Sequence, residues 1–147
     1  MNIVIIGSGG REHALCYKLL KSSKINKIYC IPGNAGTDEI ATNIFADIND
    51  FDEIYKIVLK LNVELIVVGP EIPLVNGIVD YFEKKNIKIF GPNKKCSQLE
   101  GSKFFMKNIC KKYNIPSAKY FEISDINQIE KFLSSVSFPV VVKSDGL

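Results

Sequence analysis

The chain has 147 residues, which is enough for one α/β domain with a buried core, or for one domain and the beginning of another. Its 46% apolar and 24% charged residues are typical of a folded globular chain, and a net charge of +3 is too small to indicate nucleic-acid binding. Four cysteines without a C-x-x-C pair, together with one histidine, disfavour a metal site and disulfides. No signal peptide precedes the first strand, and no apolar run approaches the roughly 20 residues that cross a bilayer, so we expect a cytoplasmic protein.

Short apolar segments alternate with helical periodicity along the first 90 residues. The predicted strands are residues 2–6, 27–31, 42–46, 64–68 and 88–90. Between them, apolar residues recurring at three- and four-residue steps predict helices over 11–22, 51–61 and 75–85. This alternation predicts an α/β fold, namely a Rossmann-like, doubly wound parallel sheet with helices on both faces.

The pattern is interrupted at Gly91-Pro92 and again at Gly101. A helix over 102–113, a strand over 118–123, a helix capped by Asp125 and a Val-rich strand from residue 138 are predicted after this break. We therefore predict two domains, 1–100 and 101–147, of which the second is incomplete. Since the sequence stops after a strand and a turn, where another loop should begin, we expect it to be part of a longer protein.

Loops rich in glycine and proline follow four of the predicted strands, at residues 7–13, 32–37, 69–74 and 91–92. Ligands of doubly wound sheets bind beyond the carboxyl ends of the strands, so these loops are predicted to gather at one edge around a ligand. The first loop feeds a helix and would present backbone N–H groups to an anion, usually a phosphate. The alternative is a tight turn whose glycines serve only the backbone.

The first loop departs from the dinucleotide pattern G-x-G-x-x-G, because Glu12 stands in the place of the third glycine. The second strand is also followed by no acidic residue before Asp38, so an NAD-dependent oxidoreductase is disfavoured. Arg11 could reach a phosphate or lie in solvent. Glu71, between two prolines, could bind sugar hydroxyls or an amine, or be an exposed loop acid. His13 is interpreted as a packing residue rather than a catalyst.

Five motifs in order resemble the phosphoribosylamine–glycine ligases (glycinamide ribonucleotide synthetases) of the ATP-grasp superfamily. They are Gly-Ser-Gly-Gly-Arg-Glu-His (7–13), Pro-Gly-Asn-Ala-Gly-Thr (32–37), Val-Gly-Pro-Glu-x-Pro-Leu (68–74), Phe-Gly-Pro (90–92) and Leu-Glu-Gly-Ser-Lys (99–103). The resemblance covers essentially the whole chain. It implies a Rossmann-like pre-ATP-grasp domain to about residue 100 and then the start of an ATP-grasp domain.

The resemblance also implies a reaction. A ligase of this family joins glycine to 5-phospho-D-ribosylamine in purine biosynthesis, gives glycinamide ribonucleotide, and converts ATP to ADP and phosphate with Mg²⁺, or alternatively Mn²⁺. The matching positions imply two sets of binding residues: for the phosphoribosyl substrate Gly9, Gly10, Arg11 and Glu71, and for the ATP phosphates Lys103 and Lys143.

The resemblance implies no catalytic residue and no metal ligand within this sequence, so we expect the piece alone to be catalytically silent. Ser144 stands where alanine is usual, a mild departure. Small molecules are the expected partners, with no nucleic acid and no membrane. The complete enzyme is expected to be a monomer, whereas exposed apolar surface in 101–147 would favour self-association of the piece.

Two alternatives stay open. One is another ATP-grasp ligase or carboxylase, against which the motifs at 32–37 and 99–103 favour the glycine ligase. The other is a stand-alone module that binds a phosphorylated metabolite, which should end cleanly near residue 93.

Overall fold

The computed structural model describes residues 1–146. It divides into two compact units, Met1–Ser97 and a second that begins at Gln98. None of the helices in this part of the chain is both long and apolar enough to cross a bilayer.

The first unit is built on a five-stranded parallel sheet in the order β3-β2-β1-β4-β5. The strands are β1 Asn2–Gly7, β2 Lys27–Pro32, β3 Thr42–Asn43, β4 Leu65–Val68 and β5 Ile89–Phe90. β1 pairs with β2 from Asn2 opposite Lys27 onward, and on its other side with β4. The chain therefore builds outward from β1 in one direction and then in the other, which confirms the predicted doubly wound sheet.

Helices cover both faces of this sheet. They are α1 Gly10–Leu19, α2 Ala35–Asp38, α3 Phe51–Lys60, α4 Glu71–Asn76 and α5 Ile78–Glu83, and α6 Lys94–Gly101 follows. Alternate residues of β1 belong to different cores, since Val4 lies in a cluster with Val58 of α3 and Phe82 of α5. Ile5 lies in a second cluster with Cys16 of α1. Burial on both faces explains why the strands read as continuous apolar runs.

Four elements in the first hundred residues differ from the prediction. The helix predicted over 75–85 is broken at Gly77, whose φ of 99° is left-handed and ends α4 before α5 begins. The strand predicted over 42–46 ends at Asn43. The Ile44 N–H still donates to the Cys30 carbonyl at 2.8 Å, but the chain then leaves the sheet and Phe45 is exposed. Helices α2 and α6 lie in stretches that the periodicity did not predict.

The second unit contains α7 Lys103–Lys112 and α8 Gln128–Leu133. The predicted strands over 118–123 and from residue 138 are wrong, because no neighbouring segment in residues 98–146 takes their backbone hydrogen bonds. The predicted cap is also displaced. Asp125 accepts a hydrogen bond from the Asn127 N–H at 2.9 Å, which forms a turn before the helix begins.

Candidate functional site

Hydrogen bonds join three of the four predicted loops at the carboxyl edge of the sheet. The Gly33 N–H donates to the Gly7 carbonyl at 3.2 Å, which joins the loops after β2 and β1. The Arg11 guanidinium donates to the Gly69 carbonyl, which joins the loops after β1 and β4. The predicted gathering is confirmed for these loops. The fourth loop is joined to the third by packing, since a Cβ on Gly91 would lie 2.8 Å from the Leu74 Cδ2.

A polar network that the sequence analysis missed supports this edge. The Asn34 amide donates to the carbonyls of Ser8 at 2.8 Å and Gly9 at 3.2 Å, and its oxygen accepts from the Thr37 N–H at 2.9 Å. The buried Thr37 hydroxyl donates to the Asn43 side chain at 2.7 Å. The capping-box spacing of Asn34 and Thr37 was the signal that could have indicated this network.

Glu12 has the most unusual environment at this edge, because its side chain is only 4% exposed. Its carboxylate accepts a hydrogen bond from the Gly9 N–H at 2.6 Å. A Cβ on Gly7 would lie 2.7 Å from the Glu12 Cδ, one on Gly9 2.9 Å from its Oε2, and one on Gly69 2.6 Å from its Cδ. The Glu12 carboxylate therefore lies directly against three glycines of this edge.

Gly10 differs from these glycines. It is exposed, it is the first residue of α1, and a Cβ there would meet no atom within 4 Å. Packing therefore does not account for glycine at this position. The first N–H groups of a helix lack intrahelical partners, so Gly10 and Arg11 present donors to the edge. The Glu12 carboxylate occupies the Gly9 N–H and weakens the positive end of α1, so the predicted anion site depends more on Arg11.

Arg11 and Glu71 form an ion pair across the edge, with Nη2 and Oε1 separated by 3.0 Å. Both are accessible, with side chains 59% and 40% exposed. A hydrogen bond from its own backbone N–H, and then the Arg11 guanidinium, lower the pKa of Glu71. Glu71 was predicted in a proline-fixed loop, but it is the first residue of α4, directly after Pro70.

His13 lies against the short helix α2. A Cβ on Gly36 would lie 2.9 Å from the His13 Cε1 and Nδ1, so the imidazole packs on the backbone there. This agrees with its interpretation as a packing residue.

In the second unit, Asp145 joins the last described residues to the start of α7. Its Oδ1 accepts from the Lys103 N–H at 2.6 Å and its Oδ2 from the Ser102 hydroxyl at 3.0 Å, so it caps α7. The Lys103 ammonium donates to the Gly146 carbonyl, and Lys143 is exposed. Desolvation opposes the change, but hydrogen bonds from the Ser102 hydroxyl and the α7 backbone lower the pKa of Asp145. No motif in the sequence indicated this role for Asp145.

Potential metal ligands are dispersed in the part of the chain that the structure covers. Within residues 1–146 there is no group of three His, Cys, Asp or Glu residues that could hold a metal ion.

The doubly wound sheet, with its loops gathered at the carboxyl edge, has the architecture of α/β domains that bind ligands at this edge. Residues 1–100 match the family model described as phosphoribosylglycinamide synthetase, N domain, and residues 101–147 match the model of its ATP-grasp (A) domain. The chain belongs to the phosphoribosylglycinamide synthetase family, which confirms the resemblance inferred from the five motifs.

Relatives and solved structures agree with this assignment. The chain is similar to the phosphoribosylamine–glycine ligases of Caldanaerobacter subterraneus, at 43% identity, and Clostridium acetobutylicum, at 44%, and covers 35% of each. Over its whole length it is also similar to the crystal structure of phosphoribosylamine–glycine ligase from Thermotoga maritima, with 31% identity, a TM-score of 0.72 and 34% of that chain covered.

A further likeness is informative about the fold alone. The ADP complex of N5-carboxyaminoimidazole synthetase from Staphylococcus aureus matches 99% of this chain and 38% of its own, with 17% identity and a TM-score of 0.73. The chain thus spans about a third of the length of the curated relatives that it matches.

Proposed function

We propose that this chain is the N-terminal part of a ligase that joins glycine to 5-phospho-D-ribosylamine with conversion of ATP to ADP and phosphate. Family membership over both regions of the chain supports this proposal. In the reaction, the ribosylamine nitrogen forms an amide bond to the glycine carboxyl carbon. ATP phosphorylates one oxygen of the glycine carboxylate. That oxygen then leaves as part of the phosphate when the ribosylamine nitrogen attacks.

The observation that carries the proposal is the accessible Arg11–Glu71 pair beside Gly10. The guanidinium has five N–H donors, of which the described contacts occupy two, so others are available to a phosphate. The Glu71 carboxylate can accept hydrogen bonds from ribosyl hydroxyls or from the amine. The open space at Gly10 allows a ligand to approach the backbone N–H groups at the start of α1.

For ATP, we propose Lys103 and Lys143 as phosphate-binding residues. A lysine ammonium is a compact positive partner for a phosphate, and phosphoryl transfer depends mainly on positioning and charge neutralisation. The capping of α7 by Asp145 supports this proposal for Lys103, because it holds the start of that helix against the segment that follows Lys143. The described residues do not fit a site for Mg²⁺ or Mn²⁺, so no residue of this chain is assigned to the metal.

The proposed ligase also has a domain organisation to which the two parts of this chain correspond. Residues 1–100 would be the substrate-binding domain and residues 101–147 the beginning of the ATP-grasp domain, as the two family models support. The complete enzyme would be a cytoplasmic monomer that acts on small molecules.

The test is a kinetic comparison of Arg11→Ala with Lys18→Ala in the complete ligase. Lys18 is an exposed cation on the same helix, so its loss controls for charge and helix stability. A charge-assisted hydrogen bond is worth about 1.5–3 kcal/mol, so Arg11→Ala should raise the KM for phosphoribosylamine roughly 10- to 100-fold. The KM for ATP should be unchanged.

Two outcomes would contradict the proposal. An equal loss of phosphoribosylamine and ATP affinity in Arg11→Ala would make Arg11 a structural residue. Turnover with bicarbonate in place of glycine would make the enzyme a carboxylase. Residues 1–147 alone should give no turnover in the same assay.

A further inference from the structure

The geometry points to Glu12 as a positioning residue of the phosphoribosylamine site, one that acts through Gly69 and Arg11 without touching the substrate. This inference rests on the proposed function of Arg11. Glu12 is also the residue that replaces the third glycine of the dinucleotide-binding motif in the first loop.

The Glu12 carboxylate is enclosed by the protein. It is 4% exposed, although a glutamate near the start of a helix usually lies in solvent. Burial of a carboxylate is costly unless hydrogen bonds compensate it, and here the Gly9 N–H donates at 2.6 Å. The carboxylate therefore holds the loop after β1 by a short, charge-assisted bond.

The same carboxylate also packs against the loop after β4. The side chain of Glu12 lies so close to the backbone of Gly69 that a Cβ there would be 2.6 Å from its Cδ and 2.8 Å from its Cγ. The Gly69 carbonyl accepts a hydrogen bond from the Arg11 guanidinium. Glu12 thus supports the backbone that receives its neighbour Arg11.

The direction of the Arg11 guanidinium depends on this backbone. Arg11 is held by the Gly69 carbonyl and by the Glu71 carboxylate, the latter at 3.0 Å. If Glu12 were shortened, Gly69 would lose the side chain against which it packs. A displacement of only about 1 Å at a binding residue can cost up to 100-fold in rate.

The experiment compares Glu12→Ala, Glu12→Gln and Glu83→Ala in the complete ligase. Glutamine keeps the length of the side chain and can accept from the Gly9 N–H, whereas alanine leaves both glycine loops unsupported. Glu83 is an exposed glutamate of α5, which makes its alanine variant a matched control. The KM values for phosphoribosylamine, ATP and glycine are measured separately, with thermal denaturation as the check on folding.

We expect Glu12→Ala to raise the KM for phosphoribosylamine roughly 10-fold or more while the KM values for ATP and glycine stay unchanged. Glu12→Gln should restore a KM near that of the wild type. A general loss of stability would instead reduce kcat and affect all three substrates. If Glu12→Ala does not fold, Glu12→Asp replaces it, since its carboxylate is one methylene too short to reach Gly69 and bind Gly9 together.

Three results would overturn the inference: an unchanged KM for phosphoribosylamine in Glu12→Ala, a loss in Glu12→Gln as large as in Glu12→Ala, or equal losses for all substrates. The Arg11→Ala variant shows whether the inference about Glu12 or the proposed function is the one that fails. If Arg11→Ala raises the KM for phosphoribosylamine and Glu12→Ala does not, the inference alone fails. If Arg11→Ala has no effect, the proposed function fails first.

Discussion

Gly69→Ala should lower the free energy of unfolding, whereas Gly10→Ala should leave it unchanged or raise it slightly. Both glycines belong to the loops at the carboxyl edge, and neither has a positive φ. A Cβ on Gly69 would lie 2.6 Å from the Glu12 Cδ, whereas one on Gly10 meets no atom within 4 Å. The two variants therefore add the same methyl group to a filled position and to an open one.

The magnitude follows from the contacts of Glu12. Carbon atoms prefer separations of about 3.5–4.0 Å, so the Glu12 side chain must move by about 1 Å to accept the Gly69→Ala methyl group. Overpacking of this kind costs about 1–3 kcal/mol, and breaking the bond from the Gly9 N–H adds to it. We expect a loss of about 2–4 kcal/mol. Gly10→Ala should be neutral or stabilise by up to about 1 kcal/mol, since it restricts the unfolded chain.

Thermal denaturation followed by circular dichroism measures both variants against the wild type. In a unit the size of Met1–Ser97, a loss of about 1 kcal/mol in stability lowers the Tm by roughly 4–8 °C. Gly69→Ala should therefore lower the Tm by about 10 °C or more. The Tm of Gly10→Ala should stay the same or rise slightly. Equal Tm values for the two variants would refute the role given to Glu12 in packing, and a large loss in Gly10→Ala would refute the open space at that residue.

Two further predictions concern ionisable groups. The hydrogen bond from its own backbone N–H and then the Arg11 guanidinium lower the pKa of Glu71 on folding. These contacts therefore stabilise the protein at pH values above the ordinary carboxyl pKa of 4.5, and their contribution is lost as the pH falls through the folded-state pKa. An NMR titration should show that the pKa of Glu71 rises in Arg11→Ala, and no change would contradict the pairing. Burial raises the pKa of the Cys30 thiol to about 12 and also raises that of Cys16, so at pH 8 both should resist a thiol reagent while the exposed Cys96 reacts. Labelling of all three at one rate would argue against the buried pair.

The elements that could be predicted are those whose local pattern and tertiary burial agree. β1 and β2 were placed within a residue or two because their β-branched and apolar runs are buried on both faces. The helix over Phe51–Lys60 was placed as well, since its apolar stripe packs on the sheet. The segments over 118–123 and from 138 carry the same apolar signal, but a strand also needs a neighbour, which a local pattern does not reveal.

The residues of the candidate site could be predicted from the sequence, but their individual roles could not. That the loops gather was predictable because loops after parallel strands share one edge of a sheet, and the family resemblance then implied Gly9, Gly10, Arg11 and Glu71 as a set. The sequence did not indicate what each glycine does. Gly9 and Gly69 lie against the Glu12 carboxylate, whereas Gly10 faces open space, and only contacts between residues far apart in the chain distinguish these cases.

The amino-acid sequence by itself determined the fold class, the edge at which the loops meet and the family, because hydrophobic periodicity and motif order are properties of neighbouring residues. Only the tertiary structure decided that Glu12 is buried between two loops, that Arg11 pairs with Glu71 across 60 residues and that Asp145 caps α7. The physical reason is that burial and pairing depend on distances through space, which the chain acquires only when the sheet brings its loops together.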